Sequence, residues 1–434
     1  MSQTNSKKKL GIWMSTSLVV GNMIGAGIFL MPAALAAYGG ISVIGWLVSA
    51  AGALLLARVF SKLSLLIPNS NGGPYAFSKA GFGDYLGFLV AWGYWISIWV
   101  SNAAIAIAFV AAMSVFFPVL AESRVAAVLA ALAAIWLLTW INSLGIRESG
   151  KVQLLTTALK LIPLFLVIAF GFFFFDISNF TPFNTSGDSS LAAIAITATM
   201  TFYAFLGFEC ATIPAANVEN PKKTVPRATM IGTIVTTIFY ILSTAVVMGM
   251  IPMDILAQSP APFADAMAII GGEWGKNLVA GGAAIAAFGA LNGWILVQGQ
   301  IARATAMDDL FPPIFKSDNR NGVPIWGLVI GSALTSVVML MNYTEGLVEQ
   351  FRFMVLLTTL CSLIPYLFSA AAYVLIGVEK LVPGKNAIAI HLLGGFAFLF
   401  TLWAIYGAGE RTVFWGTILL LSGTPFYVWI KRKR

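Results

Sequence analysis

Apolar runs about as long as a bilayer is thick recur twelve times along this chain, and no other feature constrains its fold as much. They read at residues 11–36, 41–66, 85–117, 125–143, 151–175, 191–214, 227–252, 276–306, 324–341, 350–376, 387–406 and 412–430. Most lie near the ~20 residues that a helix needs to cross the hydrocarbon core. They are also too long and too continuously apolar for the alternating strands of a transmembrane barrel. Backbone in lipid must pair its own N–H and C=O groups, which leaves helices. Of the 434 residues, 59% are hydrophobic and 10% charged, against about 25% charged in an ordinary soluble domain. The expected fold is therefore all-α and integral to the membrane, with twelve transmembrane helices. Residues 1–10 are polar and basic, and the run after them lacks a small-residue cleavage site. It reads as a first helix rather than a removed signal peptide.

An even number of spans places both termini on one side, and the Lys/Arg distribution says which. With the N-terminus inside, twenty basic residues fall in cytoplasmic segments, among them Arg58, Lys62, Lys79, Lys222, Arg303 and Lys316. Only Arg124, Lys276, Arg352 and Arg411 fall outside, and the remaining Lys160 lies deep within a span. That asymmetry predicts a multi-pass cell (inner) membrane protein with both termini cytoplasmic. It also accounts for the net charge of +8 without a nucleic-acid partner. Cys210 and Cys361 sit in apolar runs, and His391 is the only histidine. That leaves too few ligands for a haem or transition-metal centre, so no metal or cofactor and no enzymatic activity are expected.

Two spans are interrupted. In the first, Gly21-Asn22-Met23-Ile24-Gly25-Ala26-Gly27 puts three glycines into seven residues, each costing roughly 0.5–1 kcal/mol in a helix relative to Ala. In the sixth, Phe205-Leu206-Gly207-Phe208-Glu209-Cys210-Ala211-Thr212-Ile213-Pro214 carries Gly, Glu and Pro. Unwound backbone survives in a membrane only where protein buries it or where it lines a cavity. Paired interruptions five spans apart, in helices of opposite orientation, point to a binding site at the interface of inverted repeats. The expected organisation is a tail at 1–10, five-helix repeats at 11–175 and 191–376, two further helices at 387–430, and a tail at 431–434. Close helix packing at the glycines is the bland alternative.

Two ionisable residues lie deep in the spans. Each costs at least ~2.5 kcal/mol at the bilayer centre unless paired or hydrated. Glu209 follows Gly207 and is either a hydrogen-bonded structural carboxylate or a proton-sensitive gate. Lys160 lies about 13 Å along a helix expected to begin near Lys151. It is expected either to snorkel to the interface, to pair with Glu209, or to place a fixed ammonium on the unwound carbonyls of the first helix.

These residues resemble a known family. Gly21–Gly27 with Ile28-Phe29 and Pro32 is similar to the first-helix signature of the amino acid–polyamine–organocation transporters. Gly72-Gly73-Pro74-Tyr75-Ala76-Phe77, Glu219-Asn220-Pro221 to Pro226, and Asp308-Asp309-Leu310-Phe311-Pro312-Pro313-Ile314-Phe315 extend the likeness. Within that superfamily the chain resembles the basic amino acid/polyamine antiporters from about residue 10 to 425. The resemblance implies a 5+5 inverted repeat (LeuT-like) with discontinuous helices 1 and 6, plus helices 11 and 12, working by alternating access. It implies exchange of a cationic amino acid such as arginine for a decarboxylated amine such as agmatine. It also implies a lipid bilayer as environment, protons as a candidate coupling ion, and a homodimer.

By the same resemblance, N–H groups at Gly25, Ala26 and Gly27 meet the substrate carboxylate. Carbonyls near Met23, Tyr203 and Leu206 meet its ammonium. Tyr94, Ser97, Ile98, Asn102, Trp294 and Thr358 shape the side-chain pocket, with Trp294 offering a face for a guanidinium. Tyr75, Lys160 and Glu209 serve gating or proton coupling. Tyr203 replaces a Trp of the family's arginine exchangers, and Ile98 is bulkier than their counterpart. Lys160 is instead shared with proton-coupled, broad-range permeases of the superfamily. A proton-coupled neutral or broad-range amino acid permease, with Lys160 in place of a sodium ion, is the alternative expectation.

Overall fold

The computed structural model describes residues 11–25, 27–67, 72–212, 218–341, 346–380 and 385–432. Ala26, Ile213, Pro214, the N-terminal tail 1–10 and residues 433–434 of the C-terminal tail lie outside the described residues. Among the described residues the chain is helical and has no strand. It runs α1 (Ile12–Met23), α2 (Gly27–Ala36), α3 (Ser42–Leu66), α4 (Pro74–Phe82), α5 (Asp84–Met113), α6 (Val119–Glu122), α7 (Arg124–Ser143) and α8 (Ile146–Gly171). There follow α9 (Ser190–Phe205), α10 (Pro221–Met250), α11 (Met253–Leu256), α12 (Pro262–Met307), α13 (Ile325–Met341) and α14 (Leu347–Lys380). The chain ends with α15 (Lys385–Gly407), α16 (Glu410–Leu421) and α17 (Thr424–Arg432). Ten described stretches are long and apolar enough to cross a membrane, and Leu159–Phe174 and Ile325–Met341 are shorter apolar helices.

Both expected interruptions are present. The first span divides into α1 and α2, and the sixth leaves its helix at Leu206 and resumes as a 3₁₀ turn at Phe208–Thr212. Elsewhere the boundaries move. The segment expected to run unbroken over 412–430 stops at Ser422–Gly423, where a Cβ on Gly423 would sit 2.7 Å from the Trp92 ring. The long α12 is bent at Gly271 and Gly272, the latter at φ +57°. Helix α8 begins at Ile146 rather than near Lys151, so Lys160 lies about 21 Å from its start. Snorkelling to that end is thereby ruled out: the Lys160 side chain is fully buried.

Helix α5 is the axis of the bundle. Its apolar window is 89% buried, against 11% for Glu410–Arg432, which forms the periphery. Small residues let the helices close on one another. A Cβ on Gly45 would meet the Thr197 Oγ1 at 2.3 Å, one on Gly52 the Phe400 ring at 1.9 Å, and one on Gly289 the Thr156 Oγ1 at 2.1 Å. The 3₁₀ turn is held from one side by an aromatic cluster in which Phe60 meets Phe208 and Tyr366 edge-on at 5.4 Å.

Candidate functional site

The two broken helices meet at their breaks. Gly207, at φ +112°, lies so close to α1 that a Cβ there would stand 3.1 Å from the Asn22 carbonyl carbon and 3.2 Å from the Met23 nitrogen. Across the gap, a Cβ on Gly27 would press into the Tyr203 ring at 2.7 Å. These glycines thus serve close approach as well as unwinding. Any larger residue at Gly207 would also meet the steric cost of that φ.

The carbonyl end of α1 is covered by two side chains from other helices. Lys160 Nζ donates to the Gly21 carbonyl oxygen, and the Tyr240 hydroxyl donates to that of Met23. The Met23 oxygen also accepts the Gly25 N–H at 2.8 Å. A helix C-terminus carries about half a negative charge, so an ammonium at Gly21 is well placed. Met23, the expected acceptor for a substrate ammonium, is already occupied twice over. Lys160 and Glu209 do not pair: neither has the other among its partners. On the far side of the break, α2 starts at Gly27, and the N–H groups of a helix start favour an anion.

Glu209 is fully buried. One carboxyl oxygen accepts from the Tyr94 hydroxyl at 2.7 Å and the other from the Gly207 N–H at 3.0 Å. The Tyr366 hydroxyl lies close enough to Glu209 to interact but makes no hydrogen bond of regular geometry. With donors on both oxygens, this is the arrangement of an ionised carboxylate. A proton on the oxygen facing Tyr94 would reverse that hydrogen bond, the hydroxyl then accepting, whereas a proton on the other oxygen would cost the Gly207 N–H its acceptor.

Between these groups lies a small, nearly closed cavity of about 20 Å³. Of the expected residues, Met23, Gly25, Gly27, Tyr203, Leu206 and Trp294 line it, joined by Asn22, Ser101, Ile105 and Ala204. The Ser101 hydroxyl sits 3.1 Å from that of Tyr203. Ser101 and Ile105 lie seven residues beyond Tyr94 and Ile98 on α5, so helical periodicity alone would have found them. Other expected pocket residues are drawn elsewhere. Tyr94 serves Glu209, Ser97 donates to the Tyr94 carbonyl at 2.7 Å, and Ile98 is packed among helices. Asn102 pairs with Gln298 at 2.8 Å, while the Thr358 hydroxyl is buried with no partner.

Each end of the bundle is fastened. At one, Phe351 meets the cavity-lining Tyr203 edge-on at 6.2 Å, and its neighbour Arg352 donates to the Tyr38 hydroxyl after α2. At the other, Asp308 accepts from the Tyr75 hydroxyl at 2.5 Å and from Lys79 Nζ at 2.8 Å. Burial pushes the Asp308 carboxyl up, but the hydrogen bonds from Lys79 and Tyr75 and the Lys79 charge outweigh it and hold the group below the ordinary carboxylate range. Burial and the neighbouring Asp308 push the Tyr75 hydroxyl up, which keeps it a neutral donor.

A sequence model of the amino acid permease family matches residues 10–429. The chain belongs to the amino acid permease family. Its similarity to individual members is also extensive. It is 36% identical over 374 residues to the cadaverine/lysine antiporter of Escherichia coli (strain K12), covering 84% of this chain and 83% of that protein. It is 33% identical to the putrescine transporter PotE of Haemophilus influenzae, over 98% of each. It is 31% identical to the arginine/agmatine antiporter of Chlamydia pneumoniae, over 100% of this chain and 92% of that protein. Family and helices together make this permease a multi-pass membrane protein of amino-acid transport, and two of these three relatives are antiporters by name.

Proposed function

We propose that this permease exchanges a cationic amino acid, such as arginine, for the amine that its decarboxylation would produce, such as agmatine. The observation that carries the reading is the cavity. Its walls combine helix-break main chain at Met23, Gly25, Gly27 and Leu206 with the faces of Tyr203 and Trp294, and no carboxylate is among the described lining residues. Main-chain groups suit the α-amino acid moiety. Desolvated aromatic faces hold a guanidinium or alkylammonium tail without a counter-charge, worth up to ~2 kcal/mol each. The relatives named for cadaverine/lysine and arginine/agmatine exchange support this reading. They weigh against a neutral, proton-coupled permease.

In this reading twelve spans form two inverted halves, 11–175 and 191–376, that rock about the paired breaks, with the Asp308 end cytoplasmic. Lys160 supplies the fixed positive charge on α1. Protonation of Glu209 changes its hold on Tyr94 or on Gly207 and so couples opening to protons.

The deciding experiment is labelled arginine uptake into proteoliposomes loaded with agmatine, cadaverine or buffer, with leucine as competitor. Uptake should require an internal amine and resist leucine. Uptake independent of internal amine and strongly inhibited by leucine would overturn the proposal.

A further inference from the structure

Of the side-chain pocket residues expected from the sequence, two keep a buried polar atom without a partner: Asn102 Oδ1 and Thr358 Oγ1. Asn102 is fully buried on α5. It lies between Ser101 and Ile105, which both line the cavity. An unpaired buried acceptor is costly and calls for a reason. Gln298 supplies one.

Gln298 sits one helical turn beyond Trp294 on α12 and is also fully buried. Its Nε2 lies 3.0 Å from the Leu328 carbonyl oxygen and 3.0 Å from the Ser332 hydroxyl. A carbonyl only accepts, so the NH₂ group of Gln298 must face Leu328. The Gln298 Oε1 is thereby turned toward Asn102. An oxygen there admits only a donor, so Asn102 must answer with its Nδ2, at 2.8 Å. Its Oδ1 is left over. Gly331 leaves the room that the Gln298 amide occupies: a Cβ on Gly331 would lie 2.6 Å from its Cδ. The Gln298 carbonyl is held as well, by the Trp95 indole at 3.2 Å. A main-chain carbonyl on α13 thus dictates, through two amides, which atom is left unpaired on Asn102, the residue next to the cavity-lining Ser101.

We propose that Gln298 is a specificity-determining positioning residue. It locks the Asn102 amide so that an acceptor, never a donor, is offered to the substrate tail, and the site thereby selects ammonium or guanidinium tails over apolar ones. The inference rests on the cationic-exchange reading and deepens it. A site with a committed buried acceptor penalises any ligand that leaves it unpaired.

The test compares arginine with norleucine, an apolar tail of similar length, in proteoliposome exchange by wild type, Asn102→Ala, Gln298→Met and Gln298→Glu. Gln298→Met keeps the side-chain volume but frees Asn102 to flip. It should cut the arginine-over-norleucine ratio of kcat/KM at least tenfold, mainly through the KM for arginine, as should Asn102→Ala. Gln298→Glu still accepts from Asn102 and should keep more of the ratio than Gln298→Met. Equilibrium binding of both ligands in detergent gives the same ratio where turnover is lost. Equal loss for both ligands in Gln298→Met would mean a merely structural role and overturn the inference. So would an unchanged ratio in Gln298→Met when Asn102→Ala lowers it. A wild type with no preference for arginine would instead sink the cationic-exchange reading itself.

Discussion

Single residues in this permease do more than their types announce. Gly207 reads as a helix breaker, yet its lack of a side chain matters as much for the 3.1 Å approach to Asn22. Glu209 reads as a charge that needs a reason, and its two donors, Tyr94 and the Gly207 N–H, tie α5 to the broken sixth helix. Those partners make a prediction. Glutamine keeps the shape of Glu209 but offers one acceptor and one donor group, so it stands in for the protonated acid. Glu209→Gln should therefore transport with a flattened pH profile. A profile that keeps the wild-type shape would remove Glu209 from any proton role. The partners themselves were not legible in the sequence. Tyr94 is 115 residues from Glu209, and nothing local distinguishes it from a packing tyrosine.

At the scale of elements, α4 and the turn after α12 form a latch. Two short motifs, Gly72–Phe77 and Asp308–Phe315, lie far apart in sequence and meet through Tyr75, Lys79 and Asp308. The ion pair is partly exposed, with side chains 31% and 44% accessible, and such pairs contribute about 0–1 kcal/mol. A contact of that order suits the gating proposed for this end. Because the Asp308 carboxyl is held below its ordinary range, its contribution is complete above the usual carboxylate pKa. It is lost only as pH falls through the depressed value. The latch should hold through neutral and mildly acidic pH. Asp308→Asn should remove the charge at any pH and favour opening at this end. The reporter is Cys210, 2% exposed beside Glu209, in a Cys361→Ser background. Alkylation from the Asp308 side should speed up by as much as about fivefold at neutral pH, the equivalent of ~1 kcal/mol. No change in rate would mean that the latch does not control access.

At the scale of the molecule, charge and hydropathy organise the whole. The ion pairs Lys79–Asp308, Lys316–Asp309, Arg303–Asp318 and Lys431–Asp84 all lie in segments that the Lys/Arg bias assigns to the cytoplasm. Orientation follows as a prediction. A cysteine at the exposed Ser317 should react with a membrane-impermeant thiol reagent only from the cytoplasmic side, and one at the exposed Gln258 only from outside. The reverse pattern would invert the proposed topology.

By itself the sequence determined the apolar runs and the positions of the two breaks, and it supplied the expected number and sidedness of the spans. Those are local properties: a glycine-rich stretch unwinds, and twenty apolar residues span a bilayer, whatever surrounds them. Only the tertiary structure decided which groups answer the breaks: Tyr240 and Lys160 on the carbonyl end of α1, Gly207 against Asn22, and Gln298 turning Asn102. In a bundle whose helices are apolar on nearly every face, periodicity marks no single inward stripe. The rotation of each helix is set by where small residues let neighbours approach and where buried polar atoms find partners, and neither is known until the helices are packed.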